Sequence, residues 1–262
     1  MPGNPSVRPA AVVTGALRGI GRSCALALAE SGFNLLLNDR TLADGEAWEA
    51  LTEEIAASGV DGIPFAADIS DLDQHKAIVE AAVAHWGRLD CLVNNAGVGV
   101  MRRGDLLGVT AESFDRCLSV NTRAVFFLSQ AVARHMLAQG EIHGQHRSII
   151  NITSSNAVAP SISRGEYCVS KCAASMITRL FGVRLAAEGI GVYEVRPGII
   201  DTDMTRAVKD KYDALIDERV PAGRWGFPID VAATVRCLAE GRLTYTVGQA
   251  ITVDGGLTIP QF

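Results

Sequence analysis

The sequence predicts an α/β fold in which a parallel sheet of seven strands is covered by helices on both faces. Three observations predict it. Seven short apolar runs recur along the 262 residues, at 10–14, 34–38, 62–66, 89–94, 148–153, 191–196 and 250–253. Most are aliphatic or β-branched without strict polar alternation, as strands buried on both faces require. Segments of helical periodicity lie between them, and strand–helix alternation implies parallel pairing through right-handed crossovers. No linker, repeat or low-complexity tract interrupts the pattern, so residues 1–262 are read as one domain with a flexible leader at 1–9.

The helical segments follow in order. Residues 19–31 place Ile20, Cys24, Ala27 and Leu28 on one face. Residues 41–58 come next, then 72–86 with Asp71 as N-cap. A single long helix is expected over 110–139, followed by helices at 167–188 and 230–240. The stretch 197–228 reads as irregular apart from a short helix near 209–217. An insert of that length in a compact domain is commonly a functional loop or lid.

Composition narrows the function classes. Lys and Arg total 24 against 29 Asp and Glu, a net charge of −5, which leaves no basic footprint for nucleic acid. No stretch has the roughly 20 apolar residues of a membrane span, and residues 1–10 lack the apolar core of a secretory signal. The six cysteines form no C-x-x-C pair and read as reduced thiols of a cytoplasmic protein. Cys168 and Cys172 are expected to be small buried apolar residues. The five histidines show no metal-ligand grouping, so no metal is expected, and His143 and His146 are placed in a solvated polar loop.

The first strand runs into Gly15-Ala16-Leu17-Arg18-Gly19-Ile20-Gly21, and a helix begins at once. Glycines there permit a sharp turn and let a pyrophosphate approach the positive helix N-terminus. Gly15, Leu17, Arg18, Gly19, Ile20 and Gly21 are therefore candidate cofactor-binding residues. Asp39 ends the second strand, 18 residues after Gly21, where a carboxylate accepts hydrogen bonds from the ribose hydroxyls of NAD. It would repel the 2′-phosphate of NADP, whereas Arg18 and Arg40 beside it would attract one. NAD is the favoured cofactor, with NADP the alternative.

Tyr167 and Lys171 are four residues apart, one turn of a helix and on one face. A free tyrosine titrates near 10, too high for a general base at neutral pH, and a neighbouring ammonium favours the phenolate.

With its leading threonine, the glycine turn T-G-x-x-x-G-I-G resembles the short-chain dehydrogenase/reductase family, and the resemblance runs over roughly residues 10–257. It covers N-N-A-G at 94–97, Ser154 placed 13 residues before Tyr167, Y-x-x-x-K, and Pro197-Gly198-Ile199-Ile200-Asp201-Thr202. It implies a three-layer Rossmann-type sandwich and a catalytic set of Asn121, Ser154, Tyr167 and Lys171. Ser154 would hydrogen-bond the substrate oxygen and Tyr167 would exchange its proton. Lys171 would also hold the ribose, and Asn121 would bend the long helix and anchor a water near the lysine. Asp68 and Ile69 would contact adenine, although Asp68 as a bare residue equally suits a turn cap. Asn95, Ala96 and Gly97 would line ribose and nicotinamide. Pro197, Gly198, Ile200 and Thr202 would meet the nicotinamide carboxamide or pyrophosphate.

The implied activity is interconversion of a secondary alcohol and a ketone by hydride transfer. The alternatives are an NADPH-dependent 3-oxoacyl-carrier-protein reductase and, from another class, a non-catalytic dinucleotide sensor. Arg102, Arg103, Arg164, Glu166, Arg206 and Lys209 in the expected pocket walls suit a polar or charged small-molecule substrate. The family resemblance also implies a homotetramer, or a dimer, using the helix over 110–139 and the helix carrying Tyr167.

Overall fold

The computed structural model describes residues 8–142, 144–206 and 209–260. Most of the expected leader and the loop residue His143 lie outside the described residues. Seven strands form one sheet: β1 (Ala10–Thr14), β2 (Asn34–Asp39), β3 (Gly62–Ala66), β4 (Cys91–Asn94), β5 (Arg147–Ile152), β6 (Ile190–Pro197) and β7 (Ala250–Val253). Every pairing is parallel, in the order β3-β2-β1-β4-β5-β6-β7. Pro64, which cannot donate to a ladder, sits on the edge strand β3.

The helices are α1 (Gly19–Glu30), α2 (Gly45–Ala57), α3 (His75–Trp86), α4 (Ala111–Leu118), α5 (Val125–Gln139), α6 (Gly165–Leu185), α7 (Asp203–Arg206), α8 (Lys209–Arg219) and α9 (Pro228–Ala239). Successive strand residues face opposite sides of the sheet. Val13, Leu35 and Leu37 therefore pack with Leu28, Trp48, Leu51 and Val235 from α1, α2 and α9. Val12, Leu36 and Leu92 pack with Ile78, Leu128, Val132 and Met136 from α3 and α5 on the other side. Each fully buried leucine contributes about 2 kcal/mol by leaving water. The chain winds from β1 outward to β3 and then crosses to β4. That reversal leaves a crevice at the carboxyl ends of β1 and β4, where an open α/β sheet binds ligands.

Local departures from the expected elements have physical causes. The helix expected over 110–139 is three pieces, with a π-helical turn at Ser119–Ala124 joining α4 to α5. The disturbed backbone ladder is compensated by side chains: Asn121 bonds the loop after β4, and Thr122 Oγ1 donates to the Ser170 carbonyl at 3.0 Å. Asp71 does cap, accepting from Asp73 N at 3.1 Å, but it opens a 3₁₀ turn at Leu72–Gln74 ahead of α3. The helix expected over 41–58 starts only at Gly45, behind the cap of Asp44. The stretch 197–228 contains two helices, α7 and α8, rather than one.

Two side-chain expectations are corrected. Cys172 is exposed and Cys168 only partly buried, because this side of α6 turns away from the sheet. His146 is not solvated; it is partly buried with Nε2 3.3 Å from the Tyr193 hydroxyl. Burial and the nearby Arg147 charge hold its imidazole below the ordinary range.

Candidate active site

A cleft of about 940 Å³ opens where the strands end. One half is made largely of backbone. Gly15 and Gly19 adopt φ of +63° and +56°, the left-handed region that side chains with a Cβ avoid. Arg18, at the N-cap of α1, is extended and gives no side-chain cap, and the first turn holds no acid. The first amides of α1 thus remain available, with the helix dipole behind them, for an anion in the cleft. Of the six residues expected to bind the cofactor there, Gly15, Arg18, Gly19 and Ile20 line the cleft, and Leu17 and Gly21 do not. Leu17 points into the core. A Cβ on Gly21 would collide with the Gly15 carbonyl oxygen, so this glycine serves the close packing of the turn.

Thr14 and Asn95 tie that turn to β4. The Thr14 hydroxyl accepts from the Asn95 and Ala96 amides, both at 3.0 Å. Asn95 Nδ2 donates to the Thr14 and Gly15 carbonyls at 2.8 and 3.1 Å. Farther along, Asp39, Arg40, Asp68 and Ile69 line the same half. Asp39 Oδ1 accepts from the Arg40 amide at 2.7 Å. Asp68 fulfils the turn role too, since Oδ1 accepts from Ser70 N at 2.9 Å and Ser70 Oγ at 2.7 Å. Arg18 and Arg40 form no ion pair among the described residues. The uncapped helix end, the close glycine backbone and the facing carboxylate together fit a dinucleotide: the α1 amides would hold its pyrophosphate and Asp39 its ribose.

The other half is made of side chains. Ser154 follows β5, buried, with Oγ accepting from the Asn156 amide at 3.1 Å. Tyr167, in the first turn of α6, lines the same cleft. Lys171 Nζ lies 5.8 Å from the Tyr167 ring centre and donates to the Ile152 carbonyl at 2.9 Å. Burial brings the Lys171 ammonium down to about 8, against the stabilising charge of Glu194. The Tyr167 phenol is raised above its ordinary value by burial, with the Ser154 hydroxyl and the Arg164 charge opposing. The expectation that Lys171 would draw the phenol down is therefore corrected for the protein by itself.

Asn121 is fully buried on the π-helical turn. Its Oδ1 accepts from Val98 N at 2.8 Å, and its Nδ2 donates to the Val98 carbonyl at 2.9 Å and to Ser170 Oγ at 3.0 Å. It clamps the strand-end loop behind Lys171 and does not itself line the cleft. Ala96, Gly97, Pro197, Gly198, Ile200 and Thr202 do line it, as expected.

The sequence reading missed Tyr212. This buried residue of α8 brings the 197–228 stretch over the cleft, where its hydroxyl accepts from Arg103 Nη2 and Arg164 Nη1, both at 3.1 Å. An aromatic within a mostly charged helix was the available signal. Among the described residues, no group of three His, Cys, Asp or Glu is placed to hold a metal. No helix among them is long and apolar enough to cross a membrane.

Comparison with known proteins gives a consistent result. The family model described as enoyl-(acyl carrier protein) reductase matches residues 15–258. The 3-oxoacyl-[acyl-carrier-protein] reductase of Staphylococcus aureus is 37% identical over 247 residues, covering 94% of this chain and 97% of the relative. The 2-dehydro-3-deoxy-D-gluconate 5-dehydrogenase of Dickeya dadantii is 38% identical over 249 residues, 94% of each. The crystal structure of a 3-oxoacyl-[acyl-carrier protein] reductase from Brucella melitensis in complex with NAD superposes with a TM-score of 0.92. It is 44% identical and covers 97% of this chain and 99% of that one.

Proposed function

The chain belongs to the short-chain dehydrogenase/reductase family and is an NAD(P)-dependent oxidoreductase of alcohols and ketones, and from that premise we propose that Tyr167, Ser154, Lys171 and Asn121 are its working residues. One observation carries the reading: Ser154, Tyr167 and Lys171 line the same cleft as the uncapped N-terminus of α1.

The bound dinucleotide supplies the redox chemistry, a hydride exchanged between its nicotinamide and the carbinol carbon. In reduction, Tyr167 gives its phenolic proton to the substrate oxygen as that carbon gains the hydride, so a ketone becomes a secondary alcohol. In oxidation, the phenolate takes the same proton back. The Ser154 hydroxyl donates to the substrate oxygen and stabilises the charge developing there. Lys171, anchored on the Ile152 carbonyl, puts a positive charge beside Tyr167 and would hold the ribose of a bound dinucleotide. Asn121 positions Lys171 and the 98-region loop through Val98 and Ser170. Because burial keeps the phenol protonated through the neutral range, ketone reduction is favoured near pH 7 and alcohol oxidation gains as pH rises.

NAD is the preferred cofactor, on the strength of the Asp39 carboxylate at the end of β2. NADP is the second reading, favoured by Arg18 and Arg40, which form no ion pair among the described residues. A cytoplasmic location accords with six free cysteines. Exposed Val169, Met176, Leu180 and Val183 form an apolar stripe on α6 that supports a dimer or tetramer contact. The test follows nicotinamide absorbance with a panel of ketones and alcohols. Faster turnover with NADH than NADPH is expected; nucleotide binding without turnover of any compound would favour a sensor.

A further inference from the structure

Two guanidinium groups converge on one neutral oxygen at the mouth of the cleft. Arg103 and Arg164 both donate to the Tyr212 hydroxyl at 3.1 Å. Arg103 also stacks 5.7 Å from the Tyr212 ring centre. Neither arginine forms an ion pair among the described residues. Arg164 Nε is buried and has no hydrogen-bond partner among the described residues. Two like charges gathered without a carboxylate, one with a buried unused donor, are costly unless an anion completes them.

The nearby acids are engaged elsewhere. Glu166 accepts from Ser113 Oγ at 2.6 Å, and Asp213 accepts from Trp225 and Lys209. Asp203 pairs with Arg206 at 2.8 Å. Arg164 lines the cleft with its Cζ 5.8 Å from the Tyr167 ring centre.

We propose that Arg164, supported through Tyr212 by Arg103, is an anion subsite that binds the carboxylate of a short oxo or hydroxy acid and so sets the substrate class. The inference rests on the oxidoreductase reading given above. A planar fork of donors suits a carboxylate, and its closeness to Tyr167 suits a short chain between carboxylate and reacting carbonyl. Reduction of that carbonyl takes one hydride from the reduced cofactor and one proton from Tyr167, and the carboxylate is unchanged. A thioester carried on a protein has no such charge at that position, so the subsite separates oxo acids from carrier-bound substrates.

The test uses 3-oxobutanoate and its methyl ester, which differ at the carboxylate alone. The wild-type kcat/KM should favour the acid, and Arg164→Met should collapse the acid-to-ester ratio about thirtyfold. Arg164→Lys should recover part of it. The ratio is insensitive to any effect of the substitution on Tyr167, which serves both compounds. Equal use of acid and ester by the wild type, or an unchanged ratio in Arg164→Met, would overturn the proposal. Calorimetric titration of 3-hydroxybutanoate into the protein loaded with oxidised dinucleotide separates this from failure of the catalytic reading. Binding that is lost in Arg164→Met supports the subsite even where turnover is absent, and the absence of binding to the wild type overturns it.

Discussion

The two halves of the cleft are built from different materials. The dinucleotide half uses backbone: left-handed glycines, an uncapped helix end and a loop tied by Thr14 and Asn95. The reacting half uses side chains brought from β5, α6, α8 and the π-helical turn, many of them buried and polar. A backbone site tolerates drift at most side chains but demands glycine at a few positions. A side-chain site depends on each hydroxyl and ammonium, with protonation set by how deeply it is buried. The comparison predicts that binding and chemistry come apart on mutation.

A large separating effect is expected at Ser154. Ser154→Ala should lower kcat by about a hundredfold or more, as loss of a donor to a developing oxyanion does, with dinucleotide affinity little changed. Steady-state kinetics with a parallel binding titration checks this; a loss confined to affinity would blur the division between halves. A change in the other half should act in the opposite sense. Asp39→Ser should move the ratio of NADH to NADPH affinity about tenfold toward NADPH, by removing one negative charge near the 2′ position. Titrating both cofactors into both proteins measures it, and an unmoved ratio would pass selection to Arg18 and Arg40.

These expectations show where sequence was informative. The glycine turn, the strand ends and the spacing from Ser154 to Lys171 are local patterns, and local backbone geometry follows from them. The seven apolar runs located every strand to within two residues, the inner five because burial demands apolar side chains, and the partly buried edge strands β3 and β7 as well. What sequence did not disclose depends on distant contacts. A bend at Asn121 was implied by the resemblance, but its π-helical form reflects Asn121 reaching Val98, 23 residues away. The meeting of Arg103 with Tyr212 spans 109 residues. Leu17 lies inside the glycine motif, yet packing turns it into the core. The upward shift of Tyr167 depends on how much water the fold excludes, which spacing cannot report.

A smaller effect concerns stability. Lys171 is near 8 in the native protein against 10.5 for an ordinary lysine. Between those values the unfolded chain holds a proton that the native state has released. This group therefore makes stability rise as pH rises through the window. Lys171→Met should flatten that part of the profile, as judged by denaturant unfolding at pH 7.5 and 9.5. An identical slope in the variant would mean that Lys171 keeps its proton in the folded state.

The most direct test of the division between a binding half and a reacting half is Tyr167→Phe, with NADH affinity and ketone reduction measured on the same preparation. Removing the proton donor should cut kcat by about a thousandfold, with the dissociation constant for NADH within a few fold of wild type. Retained turnover would contradict the assignment of Tyr167, and a comparable loss of NADH binding would contradict the independence of the two halves.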